Sequence, residues 1–161
     1  MERLWAPWRL EYIVGDKEDG CIFCEFPRRG DDEEHLILDR GLHAFVIMNA
    51  YPYSNGHLLI APYRHVGEIT ELGDDECAEI MRLSRKCCAV LREAVRPDGF
   101  NLGMNLGTAA GAGIADHIHM HVVPRWNGDT NFMPVFADVK VIPEALHVTY
   151  AKLKPLFEQQ P

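Results

Sequence analysis

The chain has 161 residues, 47% hydrophobic and 25% charged, which is enough for one soluble domain with a real core. Its 16 basic and 24 acidic residues leave a net charge of −8. This excludes a non-specific nucleic-acid binder, which needs a basic face, but it leaves room for a small anionic ligand at a locally positive site. No apolar run reaches membrane-spanning length, and the opening residues Met1 to Trp5 lack the apolar core of a signal peptide. The expected location is therefore the cytoplasm, where the five cysteines read as thiols or metal ligands rather than as a disulfide framework.

In chain order, the polar stretch Arg28 to Glu34 predicts a solvated loop. Residues 36–39 and 43–48 are apolar on either side of Arg40-Gly41-Leu42 and predict two strands joined by a tight turn. Tyr51 to Gly56 has turn composition, and His57 to Ala61 predicts a third strand ended by Pro62. Across Asp74 to Val95, Ile80, Leu83, Cys87, Val90, Leu91 and Ala94 recur at three- and four-residue steps, the period of a helix with one buried face. Acidic residues open this helix, and Pro97 and Gly99 lie beyond its end. Phe100 to Leu106 predicts a fourth strand, Gly107 to Gly113 a flexible glycine-rich loop, and residues 117–123 a fifth strand stopped by Pro124. Pro143 to Phe157 predicts a short closing helix with Pro143 in its first turn. Strands joined mostly by turns, with one long helix inserted, predict an antiparallel α+β domain.

The fifth strand carries the chemistry. Alternation of side chains puts His117, His119 and His121 on one face and Ile118, Met120 and Val122 on the other. Three imidazoles in a row can chelate a metal, or one of them can attack phosphorus and form a labile phosphoryl-imidazole while a neighbour neutralises the phosphate or protonates the leaving group. The glycine-rich loop just before them, whose backbone N–H groups can turn toward a phosphate, favours the second reading. Cys21-x-x-Cys24 has zinc-ligand spacing, but one pair supplies half of a tetrahedral site and equally describes two buried thiols.

His117-Ile118-His119-Met120-His121-Val122-Val123 resembles the signature of the histidine triad (HIT) family. Gly56-His57-Leu58-Leu59-Ile60-Ala61-Pro62 is similar to the strand that brings a fourth histidine to the family's site. Asn105 sits where the family places an asparagine before its glycine loop, and Cys21-Ile22-Phe23-Cys24 resembles the N-terminal element of many members. Leu4 to Arg9, Asn105 to Thr108, His121 to Trp126 and Asp129 to Phe132 further resemble the subgroup described as diadenosine tetraphosphate phosphorylases. The resemblance implies a five-stranded antiparallel sheet with two helices over residues 1–161, residues 1–35 forming an extension with the cysteine pair and residues 140–161 a helical tail. It also implies a homodimer that transfers or hydrolyses nucleotidyl groups.

Carried over residue by residue, the resemblance makes His119 the nucleophile, His121 its partner at the phosphate and leaving group, and His57 an electrostatic support. Asn105 with Gly111 or Gly113 would hold phosphate oxygens, and Phe23, Phe26, Ile47, Asn49 and Leu59 would surround base and ribose. Two positions depart from the pattern: Asn49 replaces a frequent acidic residue, and Gly113-Ile114-Ala115-Asp116 lacks the serine many members carry before the triad, for which Thr108 or backbone N–H groups would substitute. In zinc-containing relatives, two histidines complete the site begun by the cysteine pair. The matching residues are His65 and His117, giving a structural zinc on Cys21, Cys24, His65 and His117, with His35 and His43 as rival third ligands.

The leading expectation is cleavage of a dinucleoside polyphosphate, or a related purine nucleotide, at the α-phosphate. A nucleoside phosphoramidate hydrolase, a nucleotide-binding module with incidental activity, and a zinc hydrolase using all three triad histidines are the alternatives. Arg9, Arg64 and Arg125 are candidates for distal phosphates, and Trp5, Trp8 and Trp126 read as packing residues.

Overall fold

The computed structural model describes residues 20–129 and 144–160. Within them β1 (Ile37–Arg40), β2 (Ala44–Met48), β3 (Leu58–Pro62), β4 (Gly99–Met104) and β5 (Met120–Arg125) form one antiparallel sheet in the order β1-β2-β3-β5-β4. Three helices accompany it: α1 (Ile22–Arg29), α2 (Asp74–Val95) and α3 (Leu146–Gln159). This is the α+β architecture expected, with one short helix more than the two implied by the resemblance.

Both faces of the sheet are covered. On one, Leu38, Val46, Leu58, Ile60 and Val122 pack with Leu83, Cys87, Val90 and Leu91 of α2 and Tyr150, Leu153 and Phe157 of α3. On the other, Ile37, Phe45, Ile47, Leu59 and Ala61 pack around Phe23 of α1. Double coverage explains why β2 and β3 are continuous apolar runs rather than alternating ones. No described helix is long and apolar enough to cross a membrane.

One carboxylate ties the long helix to the first hairpin. Glu79 of α2 accepts the backbone N–H of Leu42 (3.1 Å), of His43 and of Ala44 (2.8 Å), and also pairs with Arg82 (2.9 Å). Burial alone would push its pKa up. The three N–H groups and the guanidinium outweigh that and hold it at about 2. Gly41 is fixed by this arrangement: a Cβ there would stand 2.6 Å from the Glu79 carboxyl carbon.

The structure departs from the sequence-based expectation in four places. α1 occupies part of a stretch read as motif and loop; Ile22, Phe23 and Phe26 share its inner face despite Pro27 within it. The fifth strand begins at Met120 rather than residue 117, so His117 and His119 lie on the segment leading into it. It also continues through Pro124, which pairs with Phe100 beyond the Met120–Val122 stretch that meets β3. The missing N–H thus falls where the strand has a neighbour on one side only. The glycine-rich loop contains a 3-10 turn, Thr108–Ala110, rather than irregular chain. The boundaries of α2 agree with the expectation; its end is a left-handed Arg96 (φ 48°), a conformation more often filled by glycine.

Candidate active site and metal cluster

Two histidines meet at the centre of the sheet through strand register. Leu59 of β3 lies opposite His121 of β5, and His57, one position before β3, reaches His121 with Nε2 to Nδ1 at 2.9 Å. Gly56, at φ 77°, turns the chain into this position; a side chain there would meet left-handed strain and Leu91 at 3.0 Å. The proton positions follow from the backbone. Tyr53 donates its N–H to Nδ1 of His57 (3.1 Å), so the His57 proton sits on Nε2 and is donated to Nδ1 of His121. With Nδ1 accepting, a proton on the His121 ring belongs on Nε2. The Tyr53 ring stacks on His121 at 5.9 Å and 11°.

His119 is oriented the opposite way. Its Nδ1–H donates to the carbonyl of His117 at 2.9 Å, leaving the Nε2 lone pair for chemistry. Burial lowers its pKa, which favours the neutral, nucleophilic ring. Phe23 packs against it with ring centroids 4.8 Å apart.

A cleft of about 290 Å³ opens onto His119 and His121. Phe23 and Phe26 of α1 line it on one side, Ile47 and Asn49 at the end of β2 and Leu59 of β3 form its floor, and Asn105, Gly111 and Gly113 border it from the loop after β4. The residues expected around base, ribose and α-phosphate, apart from the substitute Thr108, therefore border one cavity. His57 stands behind it, against His121. His35, Tyr51, Tyr53 and Ile114 also line the cleft; from sequence, His35 reads only as a rival metal ligand and Tyr51 and Tyr53 only as turn residues. His35 stacks on Phe26 at 4.3 Å and 13°, a contact that sequence spacing does not reveal.

The loop is used differently from expectation. The N–H groups of Ala110, Gly111 and Ala112 bond back to the carbonyls of Gly107 and Thr108, so they do not face a ligand. Thr108 is exposed and does not border the cleft. Asn105 and the Gly113–Ile114 end remain beside it. Two of the candidate arginines are committed elsewhere. Arg64 pairs with Glu76 at 2.7 Å, and Arg125 pairs with Asp129 at 2.6 Å and donates to Asn101. Arg9, Trp5, Trp8 and the stretch from Thr130 to Phe132 lie outside the described residues. Trp126 is half-buried.

The first triad histidine does not line this cleft; its ring packs against Phe23 at 5.2 Å. His117 is fully buried and donates from Nε2 to the Pro62 carbonyl at 2.8 Å, which directs its Nδ1 at Cys21 Sγ (3.2 Å) and Cys24 Sγ (3.6 Å). His65 Nδ1 lies 3.4 Å from Cys24 Sγ, and the four ligand atoms all fall within 4.8 Å of one another. Ligands of a tetrahedral zinc stand roughly 3.3–3.8 Å apart, given its usual bond lengths. The donor set fits such an ion in type and in spacing. Burial, followed by the charges of His65 and His119, holds the His117 pKa down at about 4, so its Nδ1 is a free base at neutral pH. Burial and the neighbouring Cys21 thiol push Cys24 up, a cost that a divalent cation offsets by taking both thiolates. The rivals are elsewhere: His35 stacks on Phe26, and His43 is in the first hairpin.

The HIT domain family matches residues 30–128 of this chain. A protein of Mycobacterium tuberculosis described as AP-4-A phosphorylase is 41% identical over all of this chain and 87% of its own length. An adenosine 5'-monophosphoramidase of Schizosaccharomyces pombe is 29% identical over 78% of this chain and 90% of its own length. Among solved structures, a hypothetical histidine triad nucleotide-binding protein from Sulfolobus tokodaii superposes with a TM-score of 0.70 at 26% identity, covering 86% of this chain and 93% of that one. A zinc-bound histidine triad family protein from Mycobacterium smegmatis has the same fold, with a TM-score of 0.70 at 23% identity over 87% of this chain and 94% of that one.

Proposed function

The chain belongs to the HIT domain family, and from that premise we propose that it is an enzyme cleaving dinucleoside polyphosphates of the diadenosine tetraphosphate kind at the α-phosphate. His119 Nε2 attacks the α-phosphorus; the P–N bond forms as the bond to the bridging oxygen breaks, and the remaining polyphosphate leaves. The Nε2–H of His121, presented by His57, stabilises the developing charge on the leaving oxygen. Water or inorganic phosphate then attacks the nucleotidyl-histidine and restores His119, releasing a nucleoside monophosphate or diphosphate respectively. The observation that carries this reading is the opposed orientation of two adjacent rings. The carbonyl of His117 takes the Nδ1–H of His119 and bares a nucleophile, while His57 takes Nδ1 of His121 and leaves a donor.

Incubation with diadenosine tetraphosphate, with and without inorganic phosphate, is the direct test. ADP with ATP identifies phosphorolysis, and AMP with ATP identifies hydrolysis. His119→Asn should abolish either while leaving nucleotide affinity largely intact; undiminished turnover in that variant removes the mechanism. The similarity to a phosphoramidase supports a second reading, nucleoside phosphoramidate hydrolysis, which release of AMP from adenosine 5'-phosphoramidate without cleavage of the dinucleotide would favour.

A structural zinc on Cys21, Cys24, His65 and His117 accompanies this reading, and it rests on the donor set and its spacing. When bound, the ion supplies a cross-link and no reacting atom. All four positions are filled by protein ligands, which argues against a zinc hydrolase built on the three triad histidines. We assign the enzyme to the cytoplasm and to a homodimer that pairs through the sheet edge formed by β4, where Leu102 is 47% exposed.

A further inference from the structure

We infer that His35 is a specificity-determining residue whose imidazole hydrogen-bonds the outer edge of a purine base. The inference rests on the reading of the cleft as a nucleotide site with the α-phosphate at His119. From His119 the cleft wall runs outward along α1. The Phe23 ring packs against His119 with centroids 4.8 Å apart, Phe26 follows three residues on, and His35 stacks on Phe26 at 4.3 Å and 13°. A three-residue step advances about 4.5 Å along a helix. His35 thus stands beyond both phenylalanine rings from the reacting nitrogen, at the end of the cleft where a nucleotide anchored by its phosphate places its base.

The backbone holds His35 in place. Its N–H donates to the Asp31 carbonyl at 3.2 Å, and the N–H of Ile37 donates to the Asp32 carbonyl at 2.8 Å. Leu36 between them is left-handed, at φ 58°, a conformation that leucine seldom takes. The strain falls at the step between His35 in the cleft wall and Ile37 in the core, and strain of this kind gathers at ligand sites. The surroundings define what the ring can do. Phe26, Ile47, Leu59 and Ile114 make this part of the cleft apolar, and a base enclosed there needs a hydrogen-bonding partner for its edge. Among the described residues no hydrogen-bond partner takes up the ring nitrogens of His35. A neutral imidazole has one N–H to donate, and adenine offers its ring nitrogens N1 and N7 as acceptors. Glu34, exposed beside it, only accepts, so the donor at this end is His35. A pyrimidine has one ring fewer and stops short of His35, so this bond favours purines.

Calorimetric titration of the full chain with AMP, 1-deaza-AMP, 7-deaza-AMP and CMP tests the inference. In each deaza analogue a C–H replaces one ring nitrogen, so the pair also decides which of the two is bound. The wild type should bind one analogue about 10-fold more weakly than AMP, the size of one lost hydrogen bond. His35→Phe keeps a ring against Phe26 but has no nitrogen. It should bind AMP about 10-fold more weakly than the wild type, bind that analogue as tightly as AMP, and leave CMP affinity within about two-fold. Three results overturn the inference: wild-type affinity that neither deaza substitution lowers, a His35→Phe variant that still tells AMP from that analogue, or an equal loss of AMP and CMP affinity in the variant, which marks packing alone. The first needs no variant, so misfolding of His35→Phe would not shelter the idea. If the wild type binds neither AMP nor CMP, the nucleotide reading of the cleft fails and the inference falls with it. AMP binding that is indifferent to His35 removes the inference alone.

Discussion

Single residues decide the chemistry, and His117 serves two masters. His117 offers Nδ1 to the cysteines and its main-chain carbonyl to His119. The sequence identified the three histidines as a set. A division of labour among them was implied only by the resemblance, because a strand pattern puts all three rings on one face; the strand in fact starts after His119, and His117 points its Nδ1 at the cysteine pair. Glu79 was invisible, because a glutamate on a helix normally reads as solvated. We expect Glu79→Gln to cost about 2 kcal/mol, as for lost hydrogen bonds to a buried charge, measured by urea unfolding at pH 7. Its pKa falls from an ordinary 4.5 to about 2 in the folded protein. The stabilisation is therefore complete above pH 4.5, shrinks as pH falls through that window and is gone near pH 2. A gap between wild type and variant that stayed constant from pH 7 to pH 3 would contradict this assignment.

At the scale of elements, the strands and α2 were readable because their apolar runs and helical period are long. α1 was not, because eight residues that include a proline give no periodic signal strong enough to oppose a loop. The proposed zinc would give α1 its anchor: Cys21 and Cys24 sit at its start, while His65 follows β3 and His117 precedes β5. Cys24→Ser should abolish stoichiometric zinc by elemental analysis and lower the Tm by several degrees. Chelation of the wild type should give a slow loss of activity that parallels loosening of α1 in hydrogen exchange; immediate and fully reversible inhibition would instead point to a reacting metal. The β1–β2 turn makes a separate prediction. Gly41→Ala forces the Glu79 carboxylate off three backbone donors and should cost about 1–3 kcal/mol, read as a lower urea midpoint with an unchanged m-value.

For the whole molecule, the net charge, core size and fold class followed from composition and pattern, but the way the sheet ends did not. β4 is an edge strand carrying Leu102 outward, and edge strands of this kind invite pairing. Leu102→Lys should shift the protein from dimer to monomer in sedimentation velocity at micromolar concentration; a wild type that is already monomeric rules out the assembly.

The strand order has a consequence for how the protein is made. β5, the last strand among the described residues, lies between β3 and β4 and supplies His121 from the middle of the sheet. A ribosome can release β1, β2 and β3 early enough for them to pair as neighbours, but the hairpins so formed leave β3 with an open side until more than fifty further residues have emerged. The proposed nucleophile, its proposed donor and His117, the last of the four cysteine and histidine side chains of the cluster, are thus completed by the same late insertion, at a large loop-closure cost. No nascent chain shorter than that insertion holds a partly active enzyme, and chemistry appears only when the fold has closed.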